Sequence, residues 1–190
     1  MRQRSMRNGM AWTVFPTAIG FVGLAWGEAG LLGAQLPEAD EAGTRARMAR
    51  RFPALVEVGP ADLAAAAAQA IGGITALLAG EPRDLLEIAL DLRGVPDFNR
   101  RVYALARRIP PGRTRSYGEL ALDLGDKGLA RAVGQALGHN PFAPVVPCHR
   151  VLGADGRPGG FSAHGAALTK LRMLAIEGAR PQGTASLFPF

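Results

Sequence analysis

With 190 residues, 48% of them apolar, and a mean hydropathy of +0.08, the chain is long and apolar enough to fold around a core, which excludes the disordered class. A net charge of +6 and a pI of about 10.6 make a polyanion such as nucleic acid a fitting partner, with a solvated arginine-rich surface as the alternative. A single cysteine excludes an internal disulfide and any multi-cysteine zinc site, and it fits a reducing cytoplasm.

Residues 1–9 read as a frayed basic tail. The apolar run MAWTVFPTAIGFVGLAWG mimics a signal peptide or a membrane anchor, but Pro16, Gly20, Gly23 and Gly27 interrupt it. Residues 10–36 therefore predict two or three strands of a folded sheet. Residues 38–53 have helical composition, with Arg45, Arg47, Arg50 and Arg51 making a basic side. LVEVG (55–59) predicts a short strand. ADLAAAAAQAIGGITALLAG (61–80) predicts a helix capped or broken around Gly72 and Gly73. EIALDLRG (87–94) returns to strand alternation, with Ile88, Leu90 and Leu92 on one face.

Composition shifts at 94–97, where a domain boundary is expected. The helix FNRRVYALARRI (98–109) follows, with Phe98, Val102, Leu105, Ala106 and Ile109 on one side and its arginines largely elsewhere. Pro110, Pro111 and Gly112 end it. Ser116 with Glu119 three residues later is a capping-box pattern that starts the next helix. After a turn at 125–128, a second helix from about Leu129 turns Ala130, Val133 and Leu137 inward, and the pair suits a helix-turn-helix. Its outer face carries Arg131, Gly134, Gln135 and Gly138. One charge and one amide among glycines can press a backbone against a groove, but they lack the long polar side chains that read several major-groove bases. Glycines that simply allow close helix packing are the alternative.

Cys148 lies in PVVPCHRVLG (144–153), directly before His149. A free thiol has a pKa of about 8.5, so a nucleophilic role needs a base, a cation or a helix N-terminus to raise its thiolate fraction. Neighbours in sequence do not face each other on a regular element, so cooperation between Cys148 and His149 requires an irregular turn or a bridging water, which Pro147 favours. Glu177, at the end of a helix that Gly178 terminates, is a candidate to orient that histidine. A structural cysteine and a solvated surface glutamate are the plainer readings of the same residues.

Taken together, IPPGRTRSYGELA (109–121), ARAVGQALGHNP (130–141), PCHRV (147–151), GGFS (159–162) and KLRMLAIEG (170–178) resemble the O6-alkylguanine-DNA alkyltransferases, also called methylated-DNA–protein-cysteine methyltransferases. The resemblance is strong over about 90–179 and loose before it. It implies an α/β two-domain chain: an N-terminal domain at 10–93 with a small ribonuclease H-like sheet and helices, then a mainly helical DNA-binding and acceptor domain at 94–179 with a helix-turn-helix, and a tail at 180–190. Cys148 would take an alkyl group irreversibly from the O6 atom of guanine, possible O4-alkylthymine included, in a single turnover.

In that family pattern Glu177, His149 and a water form the thiolate, and Asn140 ties the site to the helix-turn-helix. Tyr117 would donate a proton to the leaving guanine. Arg131 would fill the gap left by the extruded nucleotide, at a cost of a few kcal/mol. Ser116, Ala132, Gly134 and Gln135 would lie along a minor groove, and Val151, Phe161 and Ser162 would line the base pocket. The resemblance also implies no cofactor and no metal, since the zinc cysteines of some relatives are missing. It implies a monomer that acts on double-stranded DNA in the cytoplasm, away from membranes. Phe161 departs from a common tyrosine, and the loop after it is longer by about two residues, in a segment that would border the alkyl pocket. Rival readings are a Cys-His hydrolase, and a DNA-binding regulator or lesion sensor without chemistry.

Overall fold

The computed structural model describes residues 9–158 and 164–179; the expected tail over 1–9 apart from Gly9, the expected tail over 180–190, and the expected pocket residues Phe161 and Ser162 lie outside the described residues. Among the described residues no helix is long and apolar enough to cross a membrane. The chain divides into two compact units.

The first unit is built on strands β1 (Ala11–Thr17), β2 (Gly20–Gly27) and β3 (Gly30–Gln35), an antiparallel meander joined by tight turns. Gly20 and Gly30 close those turns at φ +127° and +125°, a region that side chains disfavour. A two-residue strand β4 (Val56–Glu57) adds in parallel to β1, giving the order β3-β2-β1-β4. Helix α1 (Glu41–Arg51) starts at Asp40, whose side chain accepts the Gly43 N–H at 2.7 Å. It seats Met48 on the sheet against Trp12 and Ala25. A Cβ on Gly23 would lie 2.4 Å from the Met48 Cγ, so that glycine makes room for the helix. Arg51 leaves the expected basic side: its guanidinium donates to the Ala34 carbonyl at 2.7 Å and to Gln35 at 3.0 Å.

Two expectations in this unit are corrected. Helix α2 (Ala65–Leu78) runs unbroken through Gly72 and Gly73. A Cβ on Gly73 would meet Leu85 at 2.9 Å, so the glycine serves a close approach and not a stop. The stretch 87–94 is not a strand: it makes a single bridge, Leu31 to Leu90, flanked by bonds from Leu31 N–H to Ala89 and from Asp91 N–H to Leu31. The reason is local. Asp91, buried, accepts both the backbone N–H and the guanidinium of Arg93, which turns the chain away from β3.

The second unit holds α3 (Asp97–Arg107), β5 (Arg115–Ser116), α4 (Tyr117–Asp123), α5 (Ala130–Gly138), β6 (Val151–Leu152) and α6 (His164–Ile176). The capping box forms as expected: Ser116 Oγ accepts the Glu119 N–H at 3.1 Å, and the Glu119 carboxylate accepts the Ser116 N–H at 2.6 Å. Leu120 and Ala121 of α4 are buried, as are Val133, Ala136 and Leu137 of α5. A short 3-10 turn, Lys127–Leu129, links the two helices. Tyr103 joins the buried face of α3, and its hydroxyl donates to the Ala136 carbonyl at 3.1 Å. β5 pairs in parallel with β6, which sets the start of α4 beside the segment that follows Cys148.

Candidate active site

Pro147 opens a one-turn 3-10 segment, Cys148–Arg150, in which all three residues are buried. The Cys148 N–H donates to Val146 O and the Arg150 N–H to Pro147 O, at 2.8 and 2.9 Å. This is the irregular turn that the Cys-His adjacency required. Asn140, just past α5, donates from Nδ2 to the same Val146 carbonyl at 2.8 Å and also hydrogen-bonds the Cys148 side chain. Burial pushes the thiol up; Asn140, the Lys170 charge, and the N–H groups of Cys148 and His149 act in the opposite direction.

His149 Nε2 lies 2.8 Å from Glu177 Oε1. Arg150 grips the same carboxylate with two prongs, Nη2 to Oε1 at 2.8 Å and Nε to Oε2 at 2.9 Å, and its Nη1 donates to Ile109 O at 2.6 Å. The Gly112 N–H adds a bond to Oε2 at 3.3 Å. Gly112 must be glycine here, with φ +77° and a Cβ position 2.9 Å from the Glu177 carbonyl oxygen. Burial alone would raise the Glu177 carboxyl, but the bonds and charges of His149 and Arg150 outweigh it and hold the group at about 2. An ionised carboxylate only accepts, so His149 carries its proton on Nε2. Its Nδ1 is then a bare acceptor, buried and without a partner among the described residues. Burial pushes the His149 pKa down, assisted by Arg150 and Lys170 against the pull of Glu177.

Tyr117 begins α4 with its ring half-buried and its phenol pushed up to about 12, first by burial and then by Cys148. Lys170 Nζ sits 5.8 Å from the centre of that ring and donates to the Val151 carbonyl at 2.5 Å. The Val151 N–H is occupied too, by Cys148 O. Burial lowers the Lys170 pKa to about 8, with Cys148 opposing.

Cys148, His149, Glu177 and Asn140 thus form one connected cluster, and Lys170 joins it to Tyr117. Arg131 and Gln135 are exposed on α5, away from its buried residues, while Ala132, Gly134 and Ser116 are half-buried. A Cβ on Gly134 would meet only the Tyr117 ring, at an ordinary 3.8 Å, so close helix packing does not explain that glycine. Sequence reasoning missed Arg150, Lys170 and Gly112. Lys170 had a readable signal: it lies seven residues before Glu177, two helical turns along the same side. Among the described residues no group of three or more His, Cys, Asp or Glu side chains gathers to hold a metal ion.

The family described as 6-O-methylguanine DNA methyltransferase, DNA binding domain, matches residues 97–179. A methylated-DNA–protein-cysteine methyltransferase of Mycolicibacterium paratuberculosis is 47% identical over 121 residues, which span 64% of this chain and 71% of that one. A DNA base-flipping protein of Thermus thermophilus is 44% identical over 130 residues, 68% of this chain and 86% of its own. A crystal structure of Mycobacterium tuberculosis OGT in complex with DNA superposes with a TM-score of 0.68 at 34% identity, covering 88% of this chain and 92% of that one.

Proposed function

Because the chain belongs to the methylated-DNA–protein-cysteine methyltransferase family, we propose that Cys148 is the residue that accepts the alkyl group in its DNA repair reaction. The observation that carries this assignment is the join between the Cys148 turn and the His149–Glu177 pair, with a buried Nδ1 on His149 that has no partner among the described residues. That nitrogen is the acceptor a thiol proton needs, reached through one water. Glu177 stays ionised and steadies the imidazolium that results.

The thiolate sulfur attacks the alkyl carbon on O6 of guanine, the carbon–oxygen bond breaks, and a thioether remains on Cys148. Guanine leaves as an anion unless it is protonated. Tyr117, whose phenol keeps its proton well past neutral pH, donates it to the ring. Lys170 supplies a positive charge near the sulfur as it ionises. A thioether is not readily hydrolysed, so each molecule reacts once.

α4 and α5 act as a helix-turn-helix that lies along the minor groove of duplex DNA. Exposed Arg131 fills the gap of the extruded nucleotide, and Gly134, Gln135, Ala132 and Ser116 border it. The DNA complex of the mycobacterial neighbour and the likeness to a DNA base-flipping protein support this docking. The remaining assignments follow the same reading: a ribonuclease H-like N-terminal domain at 10–93, an acceptor domain at 94–179, a monomer, and a cytoplasmic site of action.

The deciding experiment incubates the protein with duplex DNA carrying a labelled O6-methyl group. One equivalent of label per protein molecule on Cys148, lost in Cys148→Ala, is expected. Continued turnover would indicate a Cys-His hydrolase. Tight binding of the lesion with no transfer would indicate a sensor, and either result ends this reading.

A further inference from the structure

Resting on the reading of Cys148 as acceptor and His149 as its base, we propose that Arg150 is a positioning residue that keeps His149 neutral before reaction, by giving Glu177 the cation it would otherwise draw from the imidazole. A carboxylate withdrawn from water needs a countercharge. Two groups compete for Glu177: His149 touches Oε1 alone, whereas Arg150 reaches both oxygens, at 2.8 and 2.9 Å. Arg150 is 1% exposed and is anchored on its far side to Ile109 O, so it cannot swing away. A guanidinium does not deprotonate in proteins, so its charge is present before His149 has titrated at all.

Among the described residues, the charged and titratable groups that face His149 are few. Glu177 and Lys170 come from α6 and its C-terminal turn, and Arg150 and Cys148 from the turn of His149 itself. Glu177 alone favours a charged imidazole; Arg150, Lys170 and burial oppose it. With Arg150 in place, the negative charge beside His149 is already matched and Nδ1 keeps its lone pair. Without Arg150, the nearest possible cation for Glu177 is His149. The imidazole would then be protonated at rest and could not take the thiol proton.

The test reads the imidazole itself, by 15N NMR of histidine-labelled full-length protein, alongside the pH profile of alkyl transfer. Wild-type His149 is expected to be the neutral Nε2–H form near neutral pH. Arg150→Met should convert it to imidazolium, move the acid limb of the rate profile up by about one pH unit or more, and slow transfer about tenfold near neutral pH. Adding Glu177→Gln to Arg150→Met should return the imidazole to its neutral form, a rescue by charge that a merely structural role would not produce. Should Arg150→Met fail to fold, Arg150→Gln retains a donor for Ile109 O and replaces it. If neither neutral variant folds, the wild-type protonation state decides. A neutral His149 with an unmoved profile in a folded single variant overturns the proposal, as does an imidazolium already present in the wild type. Failure of the wild type to transfer an alkyl group would instead overturn the reading of Cys148, and the NMR comparison would still judge Arg150.

Discussion

Cys148 and Lys170 show how one residue's environment sets the terms for another. Both are buried, and burial disfavours the charged form of each: the thiol is pushed up and the amine down to about 8. Placed side by side, thiolate and ammonium compensate each other, and Asn140 and two backbone N–H groups add to the support of the thiolate. The sign is fixed by the direction of the Lys170 shift. Below about pH 8 the amine is charged and favours the thiolate; above it that support is lost. Alkyl transfer should therefore slow as pH rises past about 8, and Lys170→Met should be slower below that pH and lack this alkaline decline, so that the two rates converge above it, as single-turnover rates across pH would show. A rate that keeps rising with thiol ionisation alone would refute a role for the Lys170 charge. Cys148, His149 and Glu177 were legible in the sequence as chemical types in a suggestive order. Arg150 was not, and Lys170 only through its spacing from Glu177, because their meaning lies in partners that are distant along the chain, at Ile109, Glu177 and Val151.

At the scale of elements, legibility followed how local each signal is. The capping box at Ser116 and Glu119 closes within four residues, and it formed as read. The stretch 87–94 has strand alternation, but a strand needs a partner along its whole length, and Asp91 with Arg93 withdraws the chain after one bridge. Gly73 reads as a helix breaker by propensity, yet α2 passes through it because Leu85 packs where its side chain would be. Gly134 tests the opposite case. Its missing side chain is not demanded by packing, since a Cβ there meets Tyr117 at 3.8 Å. Gly134→Ala should leave thermal stability unchanged or raise it, by up to about 1 kcal/mol from helix propensity, while weakening duplex binding. A melting curve and a DNA titration on the same protein separate these effects. Unchanged DNA affinity would remove α5's outer face from the interface.

For the molecule as a whole, every residue assigned to the chemistry belongs to the second unit, although that unit is not one continuous piece of chain. Pro141–Val145, between Asn140 and the Cys148 turn, joins the first unit instead, where Pro141 O accepts the Ala34 N–H at 2.8 Å. No composition shift marks that excursion. Net charge, by contrast, is fully visible in the sequence, and it makes a prediction at this scale. With a charge of +6, binding to unmodified duplex should release counterions and weaken by about tenfold or more between roughly 50 and 200 mM salt. Fluorescence anisotropy at several salt concentrations measures the slope. A flat response would mean that the arginines are surface solvation only.

The burial of Cys148, 6% exposed, has a further consequence for a protein that can react only once. Dissolved oxidants and alkylating agents are a standing hazard to any accessible thiolate, and each chance collision that succeeded would remove a working molecule. A sulfur shielded from solvent and held largely as the thiol is a poor target for them. Access is left to a base already delivered into the site, so the wall that makes the thiol harder to ionise also reserves it for the lesion.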